Sequence, residues 1–575
     1  MKKIYFTLFS TLILGGIMVS CSEGFLEQPP IGTYGEETLK TKAGVEGVLI
    51  GAYANLDGKW DGTRDNQWGM SGTNWVYGTI LGGDAYKGSD PGDQPPLNQL
   101  ERHEPLPTNV YLLNRFTLLY DGIDRANDAL RLLAEVPEIE EADRERIMGE
   151  ARFLRGHYHF EAKRMWNRVP YIDEYITDYR VPNDRDIWPD MEADFKFAMD
   201  HLPPVQVDVG RANQWAAAAY YAKVLIYQEK YAMARPVLDE IMAYGVTADG
   251  IPYGLNESFH DNFRAATKNS RESVFAIQYS VNDGANGQNG GAVDVLNFPY
   301  GGGPGTCCGF LQPSQSLVNA YRVDDQGLPF LDTFNDQDVK NDQGLRSTDP
   351  FTPDTAPLDP RLDWTVGRRS IPYLDWGPHP GQAWIRDQVN GGPYSPKKNV
   401  YYKSEEGQNT DGSGWTKGFT ANNYPLIRYA DVLLWAAETE AQLGNLEQAT
   451  EYVNRIRKRA AHPEGWVKNP DGTPAANYKI GLYPIFSDKA SALKAIQFER
   501  KLELAMEGHR FFDLVRWGIA SQELNAYLRI ESERRQYLKG ATFEAGKDEY
   551  FPIPEQAIIQ SAIDGVPTLL QNPGY

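Results

Sequence analysis

Apolar residues recur at spacings of three and four along two long stretches of the N-terminal half, residues 112–133 and 143–166. In the second stretch, one apolar stripe is formed by Ile147, Ala151, Leu154, Tyr158, Ala162 and Met165. This is the period of an amphipathic α-helix that turns one face to a core. Pro137 separates the two stretches. The pattern therefore predicts two long helices that pack as an antiparallel hairpin.

The same pattern returns several times along the chain. Further helices are predicted over residues 43–56, 186–202, 213–228, 231–244, 423–443, 446–460, 491–506 and 511–517. Asn213 is placed to cap one of them, and Gly444-Asn445 forms a tight turn between two others. Helix pairs joined by small-residue turns, with alanine at the crossings, are typical of tetratricopeptide-like hairpins. A generic helical bundle has the same pattern and stays open at this point.

The periodicity fades between about residues 246 and 422, where Gly, Pro, Asn, Asp and aromatic residues are frequent. This region is too long to be a single loop of a compact domain. We interpret it as an irregular functional surface built on the helical scaffold.

The N-terminus has the order of a secretory leader. Lys2 and Lys3 precede an apolar run over residues 4–19, and Ser20-Cys21 follows it. Residues 18–21 resemble a bacterial lipobox, although Met18 stands where leucine is usual. We therefore expect residues 1–20 to be a signal peptide, Cys21 to be acylated, and residues 21–42 to be a tether. An ordinary leader with an incidental cysteine is the alternative.

Composition narrows the class of protein. The 575 residues are 41% apolar and include 13 Trp and 33 Tyr, as in a large globular chain. The formal charge of −21 repels phosphate backbones, which argues against nucleic acid as a partner. Beyond Cys21, the only cysteines are Cys307 and Cys308, and no Cys/His set has zinc spacing.

Several segments resemble the signatures of SusD/RagB-type nutrient-binding lipoproteins of the Bacteroidetes. They are YPLIRYADVLL at 424–434, ERKLELAMEGHRFFDLVRWG at 499–518, FPIP at 551–554 and QNPGY at 571–575, with EARFLRG at 150–156 and GRANQWAA at 210–217 upstream. They occur in the family's order and span most of the chain.

The resemblance implies a mainly α fold with tetratricopeptide-like hairpins and a loop-rich ligand face. It divides the chain into a helical region over 43–250 and a second region over 251–575, which is loop-rich over 251–422, helical over 423–520 and C-terminal over 521–575. It further implies a lipid anchor in the outer membrane, an outward orientation and a SusC-like, TonB-dependent transporter as partner. The implied ligand is an oligosaccharide, or a peptide in some members, and the family is not known for catalysis.

The charged signature residues have two interpretations. Glu499, Arg500, Glu503, Glu507 and Arg510 lie three to four apart, where opposite charges pair along a helix. A catalytic acid pair made by Glu503 and Glu507 is the functional alternative. We favour ion pairs that support helix packing, because such spacings are ordinary for helices.

Two segments concentrate the residue types that bind sugars, namely aromatic rings for C–H faces and polar side chains for hydroxyl groups. The first segment spans residues 60–84 and the second spans residues 300–394. Our ligand-binding candidates are Trp68, Trp75, Asp84, Tyr300, Trp376 and Trp384, and we expect at least one exposed Trp from each segment at a common site. Any one of these aromatic residues can equally belong to the core.

Cys307 and Cys308 are further candidates. A vicinal disulfide between flanking glycines would form a flat, apolar platform, and two reduced thiols in a tight turn are the alternative. Nucleotide binding is not indicated, because no Lys-Ser/Thr follows the glycine run at 301–309 and no helix opens there, as they would in a phosphate-binding loop; we predict no cofactor. The oxygen-rich stretch 335–344 could hold calcium, but Lys340 replaces a ligand, which favours a solvated turn.

Three functions follow in order of preference. The first is a non-catalytic surface protein that binds oligosaccharide for a transporter. The second is the same role with peptides. The third is a glycoside hydrolase with a carboxyl pair drawn from residues 57–107 or 290–390, and the sequence does not give the separation that this chemistry requires.

Overall fold

The computed structural model describes residues 39–59 and 67–575. The predicted leader, Cys21, most of the tether and Trp60 lie outside the described residues. Within the described ranges the α-helices are α1 (Lys42–Ala54), α2 (Pro95–Glu101), α3 (Val110–Ala134), α4 (Glu141–Trp166), α5 (Trp188–His201), α6 (Gln214–Tyr227), α7 (Tyr231–Tyr244), α8 (Gln315–Ala320), α9 (Leu362–Thr365), α10 (Gln388–Gly391), α11 (Tyr429–Gln442), α12 (Leu446–Ala460), α13 (Lys489–Glu503), α14 (Arg510–Arg516), α15 (Ala520–Glu531) and α16 (Glu555–Gln560).

Strands are short and form two-stranded antiparallel sheets. They are β1 (Ala85–Gly88), β2 (Ser273–Ile277), β3 (Phe310–Pro313), β4 (Val366–Gly367), β5 (Ser395–Pro396), β6 (Thr410–Asp411), β7 (Phe419–Thr420) and β8 (Tyr424–Arg428). β1 pairs with β3, β2 with β8, β4 with β5 and β6 with β7. The protein is mainly α, as predicted, and no described helix is long and apolar enough to cross a membrane.

The N-terminal half is a succession of helical hairpins in which α3 packs on α4, α4 on α5, α5 on α6 and α6 on α7. Asparagine caps begin two of these helices, and the cap at Asn213 was predicted. The side chain of Asn213 accepts the backbone N–H of Ala216 at 2.9 Å, and Asn109 accepts that of Tyr111 at 3.0 Å. Residues 216–219 of α6 are all buried alanines, whose small side chains allow the neighbouring helices to approach closely. The predicted hairpin scaffold is confirmed.

The C-terminal half joins this scaffold through α11, which packs on α7 as well as on α12 and α13. The prediction of one helix over 423–443 is wrong at its start, because Tyr424–Arg428 forms β8 and pairs with β2. Pro425 is consistent with that strand and not with a helix interior. The helix predicted over 491–506 ends at Glu503, and Met506 beyond it has a φ of +65°. Helix α15 was not predicted.

A buried network of charges ties α13 to the loops and to β8. The carboxylate of Glu503 accepts from Arg428 at 2.7 Å, from Arg361 at 3.0 Å and from Arg459. Arg428 also pairs with Glu507 at 2.8 Å, and all five side chains are at most 4% exposed. Although burial by itself would raise it, the pKa of Glu503 is held well below its ordinary value by the guanidinium groups of Arg459, Arg428 and Arg361.

These pairs differ from the predicted ones in one respect. The charges do not pair along their own helix but between elements: Arg500 of α13 contacts Asp431 of α11 at 2.6 Å and Asp513 of α14 at 3.0 Å. Glu503 and Glu507 are buried and form ion pairs with arginine, so they do not reach a substrate. The packing interpretation of the signature holds, with contacts between elements in place of contacts along one helix.

Candidate functional site

Apart from the main core, a small core lies on the loop-rich side of the molecule. It consists of Ala292, Val295, Phe298, Tyr373, Trp384, Val400, Tyr401 and Phe419, and Trp68, Leu374 and Trp376 pack against it while partly exposed. Trp68 comes from the first aromatic segment of the sequence and Trp376 from the second. The structure therefore brings one partly exposed Trp from each segment onto a common support.

Trp75 does not lie at the surface. Its side chain is 2% exposed, packs edge-on against Phe310, and its indole N–H donates to the backbone oxygen of Trp68 at 3.2 Å. The candidate role of Trp75 as an exposed platform is therefore corrected: it fixes the backbone that carries Trp68. The reason is ordinary, since a large aromatic ring stabilises a core as readily as it covers a sugar.

The hairpin β6–β7 carries an aromatic residue that sequence reasoning missed. Trp415 at its tip is 59% exposed and meets Trp68 edge-on, with ring centroids 5.9 Å apart. More than half of the Trp415 side chain is therefore available for contact with a ligand. The available signal was its position between Gly414 and Gly418, in a polar stretch without apolar periodicity.

Trp376 is held in place and stays partly exposed. Its indole N–H donates to the backbone oxygen of Tyr401 at 3.1 Å, and its ring meets that of Tyr401 edge-on at 5.8 Å. The ammonium group of Lys403 lies 5.7 Å from the centre of the Trp376 ring. Trp376 therefore combines an anchored ring with a nearby cation, a combination suited to a polar ligand with an apolar face.

Tyr300 and Trp384 share one backbone hydrogen bond but have different roles. The N–H of Tyr300 donates to the oxygen of Trp384 at 3.0 Å. Trp384 is 8% exposed within the small core, which corrects its candidate role as a platform, whereas Tyr300 is 39% exposed. The guanidinium of Arg386 lies 5.5 Å from the Tyr300 ring centre and pairs with Asp93 at 2.6 Å. Tyr300 thus has an exposed ring beside fixed polar groups.

The glycine-rich loop with the two cysteines runs between Tyr300 and the hairpin. Cys307 and Cys308 are joined as a vicinal disulfide, in which Cys308 is 6% exposed and Cys307 is half-buried. Only Cys307 therefore presents appreciable surface. Gly418 of the hairpin approaches this loop so closely that an added Cβ would lie 3.1 Å from the Cα of Gly305, at a φ of +98° that favours glycine.

Asp84 is buried rather than exposed, which corrects the sequence-based candidate. Its backbone oxygen accepts the N–H of Ser314 at 2.9 Å, and its carboxylate accepts that of Met506 at 3.2 Å. Burial raises the pKa of Asp84 to about 6. Asp84 joins β1 to the segment after α13 and does not reach a ligand at the surface.

We call the partly exposed side chains Trp68, Tyr300, Trp376 and Trp415, together with Cys307, the aromatic surface. Trp68 and Trp376 pack against the small core, Trp415 contacts Trp68, and the backbone of Tyr300 is hydrogen-bonded to Trp384. Cys307 packs against the main core, in the loop whose Gly305 lies beside Phe298. Among the described residues, no group of three or more His, Cys, Asp or Glu side chains is arranged to hold a metal ion. The arrangement offers rigid aromatic edges and faces for contact with a polar ligand.

Comparisons with known proteins agree with this architecture. The SusD family model matches residues 271–575, and a second family model, described as starch-binding associating with outer membrane, matches residues 91–226. SusD-like protein P2 of Formosa agariphila is 24% identical over 589 residues, covering 100% of both chains.

Solved structures show the same fold. Surface glycan-binding protein A from Bacteroides thetaiotaomicron, in complex with laminarihexaose, superposes with a TM-score of 0.65 at 20% identity, covering 92% of this chain and 98% of that one. A SusD superfamily protein from Bacteroides vulgatus gives a TM-score of 0.63 at 21% identity, covering 93% of this chain and 100% of that one.

Proposed function

Because the chain belongs to the SusD family, we propose that it binds oligosaccharide at the outer surface of the cell and delivers it to a SusC-like, TonB-dependent transporter, without catalysis. Family membership supports association with the outer membrane, in keeping with the description of the second matching model. Structural neighbours that include a glycan-binding protein in complex with laminarihexaose support carbohydrate as the ligand.

The observation that carries the carbohydrate proposal is the aromatic surface. Trp68 and Trp415 form an edge-on pair at 5.9 Å, and Trp415 keeps 59% of its surface open to solvent. Sugar rings present apolar C–H faces surrounded by hydroxyl groups. A fixed indole therefore covers the face, while polar side chains form hydrogen bonds with the hydroxyl groups. Anchored rings also lose little conformational freedom on binding, which favours affinity.

Binding is tested with the purified mature chain, on a panel of polysaccharides by affinity electrophoresis and on laminarihexaose by calorimetry. We expect retention on at least one glycan, and a loss of at least tenfold in affinity for Trp415→Ala. Tyr175→Ala is the matched control, because Tyr175 is 82% exposed and lies outside the aromatic surface. If Trp415→Ala binds the retained glycan as tightly as the control does, the aromatic surface is not the binding site.

The anchor and the partner are tested separately. We propose that Cys21, outside the described residues, carries the lipid, and we expect Cys21→Ser to abolish labelling by radioactive palmitate and to release the protein from the outer membrane. We expect the lipidated wild-type protein to co-purify with a TonB-dependent barrel from outer membranes. A protein that remains unlabelled and free in the periplasm would contradict the proposed location.

Two assays address the remaining functions. If the protein binds peptides and no glycans, its ligand is a peptide and the carbohydrate part of the proposal is wrong. Release of reducing sugar by the purified protein would contradict the non-catalytic role. We expect no release. The signature pair Glu503 and Glu507 is buried and paired with arginine, and the assay tests the carboxyl pairs of residues 57–107 and 290–390 directly.

A further inference from the structure

An internal pocket lies directly behind the small core. It has about 60 Å³ of free volume, and we call it the inner pocket; its walls include Trp75, Tyr279, Asp294, Asn297, Phe298 and Asn399. Phe298 belongs to the small core as well, and it is the ring that Gly305 and Gly418 pack against. The inner pocket and the small core therefore share a wall, and the aromatic surface packs on the other side of that core. Asp294, Asn297 and Asn399 are partly exposed, so the pocket lies close to solvent.

Three polar atoms of residues that line this pocket have no hydrogen-bond partner in the part of the chain that the structure describes. They are the hydroxyl oxygen of Tyr279 and the Oδ1 atoms of Asn297 and Asn399, all shielded from solvent. The side chain of Tyr279 is 3% exposed. Buried polar atoms are nearly always hydrogen-bonded, because leaving them unpaired costs free energy. Three such atoms in one pocket therefore indicate an occupant that forms hydrogen bonds.

The other walls restrict the chemistry of this occupant. Trp75 and Phe298 give the pocket aromatic walls, which a cavity that holds only water does not require. The two lysines at the pocket direct their ammonium groups elsewhere: Lys397 donates to the backbone oxygens of residues 363 and 372, and Lys398 to Glu507 at 2.7 Å. Among the described residues that line the pocket, no free cation therefore favours an anionic ligand. The mixture of aromatic walls and oxygen acceptors fits a neutral, hydroxyl-bearing ring.

Size restricts the occupant to a single ring. A free volume of about 60 Å³ has room for roughly four to six water molecules, at about 10–15 Å³ each, so it accommodates one sugar ring but not two. We propose that the inner pocket binds one neutral sugar ring, which is the terminal residue of the bound oligosaccharide, while the aromatic surface binds the sugar residues next to it. This proposal rests on the proposed function. Tyr279, Asn297 and Asn399 then supply the hydrogen bonds.

The test uses the protein labelled with 5-fluorotryptophan, in which the fluorine signals of Trp75 and Trp415 are assigned from Trp75→Phe and Trp415→Phe. D-glucose and D-galactose are titrated at millimolar concentrations. Because Trp75 lines the inner pocket, we expect its signal to shift saturably with at least one of the two sugars. We expect Tyr279→Phe to weaken this response about fivefold, since it removes one hydrogen bond. Its hydroxyl has no partner among the described residues, so the variant leaves none of their groups unpaired.

The outcomes separate this proposal from the proposed function. A shift of the Trp415 signal without a shift of the Trp75 signal overturns the inner pocket and leaves surface binding intact. No shift at Trp75 with either sugar shows that the pocket holds water only and overturns the inference. A Trp75 shift of equal strength in wild type and in both Tyr279→Phe and Asn399→Ala overturns it as well.

Discussion

Glu503→Gln tests whether the signature charges hold the scaffold together. The substitution keeps the shape of the side chain and removes its charge, so no cavity forms. Three buried arginines, Arg361, Arg428 and Arg459, lose a carboxylate partner. Breaking a buried pair by removing one partner costs about 3–5 kcal/mol. Because each of these arginines keeps at least one other carboxylate, we expect a loss near the lower end, about 3 kcal/mol.

The assay is urea unfolding at neutral pH, followed by circular dichroism and by tryptophan fluorescence, with the free energy of unfolding extrapolated to water. The matched control is Glu523→Gln. Glu523 pairs with Arg510 at 3.3 Å, and its side chain is 39% exposed. Partly exposed pairs contribute at most about 1 kcal/mol, so we expect a small effect there. Equal losses in the two variants would refute the reasoning.

The difference between wild type and Glu503→Gln also depends on pH in a defined direction. The pKa of Glu503 is depressed in the folded protein, so its contribution to stability is complete above the unfolded-state pKa of about 4.3. It is lost as the pH falls further, because the protonated carboxyl no longer pairs with arginine. We therefore expect the stability difference between the two proteins to shrink below about pH 4.

Three further predictions concern the loop-rich side. In a double-mutant cycle of Trp68→Ala and Trp415→Ala, we expect a coupling of about 0.5–1.5 kcal/mol in glycan affinity, because the rings touch; additive losses would show independent platforms. Burial raises the pKa of Asp294 to about 6, so its charge destabilises the fold as the pH rises through 6. We expect Asp294→Asn to raise the free energy of unfolding by about 1–2 kcal/mol at pH 7.5, after a discount for partial exposure, and to change it little near pH 4. An unchanged denaturation midpoint at pH 7.5 would contradict this. Gly418→Ala adds a Cβ 2.9 Å from the Phe298 ring at positive φ, so we expect more than about 1 kcal/mol of local destabilisation, visible as faster hydrogen exchange in residues 410–420, and wild-type exchange would refute it.

Helical periodicity was sufficient to predict the scaffold. The hairpin of α3 and α4, the Asn213 cap and the turn before α12 all follow from local sequence, because the apolar stripe and the cap residue act within one or two turns. The start of α11 could not be predicted in this way. The run before Tyr429 is apolar enough for either a helix or a strand, and its pairing with β2 depends on a segment about 150 residues earlier in the chain.

The candidate site was predicted by segment more reliably than by residue. Both aromatic segments do meet at the small core, where Trp68 and Trp376 are partly exposed, but Trp384 is buried in that core and Trp75 in the main core. Composition cannot separate these cases, because burial depends on which ring faces the core after folding. Trp415 was missed since it lies beyond the end of the second segment and reaches Trp68 only through tertiary packing.

The crossing of Gly418 over Gly305 divides the hairpin into an inner and an outer part. Residues inside the crossing are fixed by the Phe298 ring, whereas the tip with Trp415 projects beyond it. Insertions or exchanges at the tip would extend outward without disturbing the packed interior. Among paralogues with this scaffold, we therefore expect the tip to vary in length and in side chains as the ligand varies. We expect the two glycines to be retained, because the close approach of the two backbones requires them.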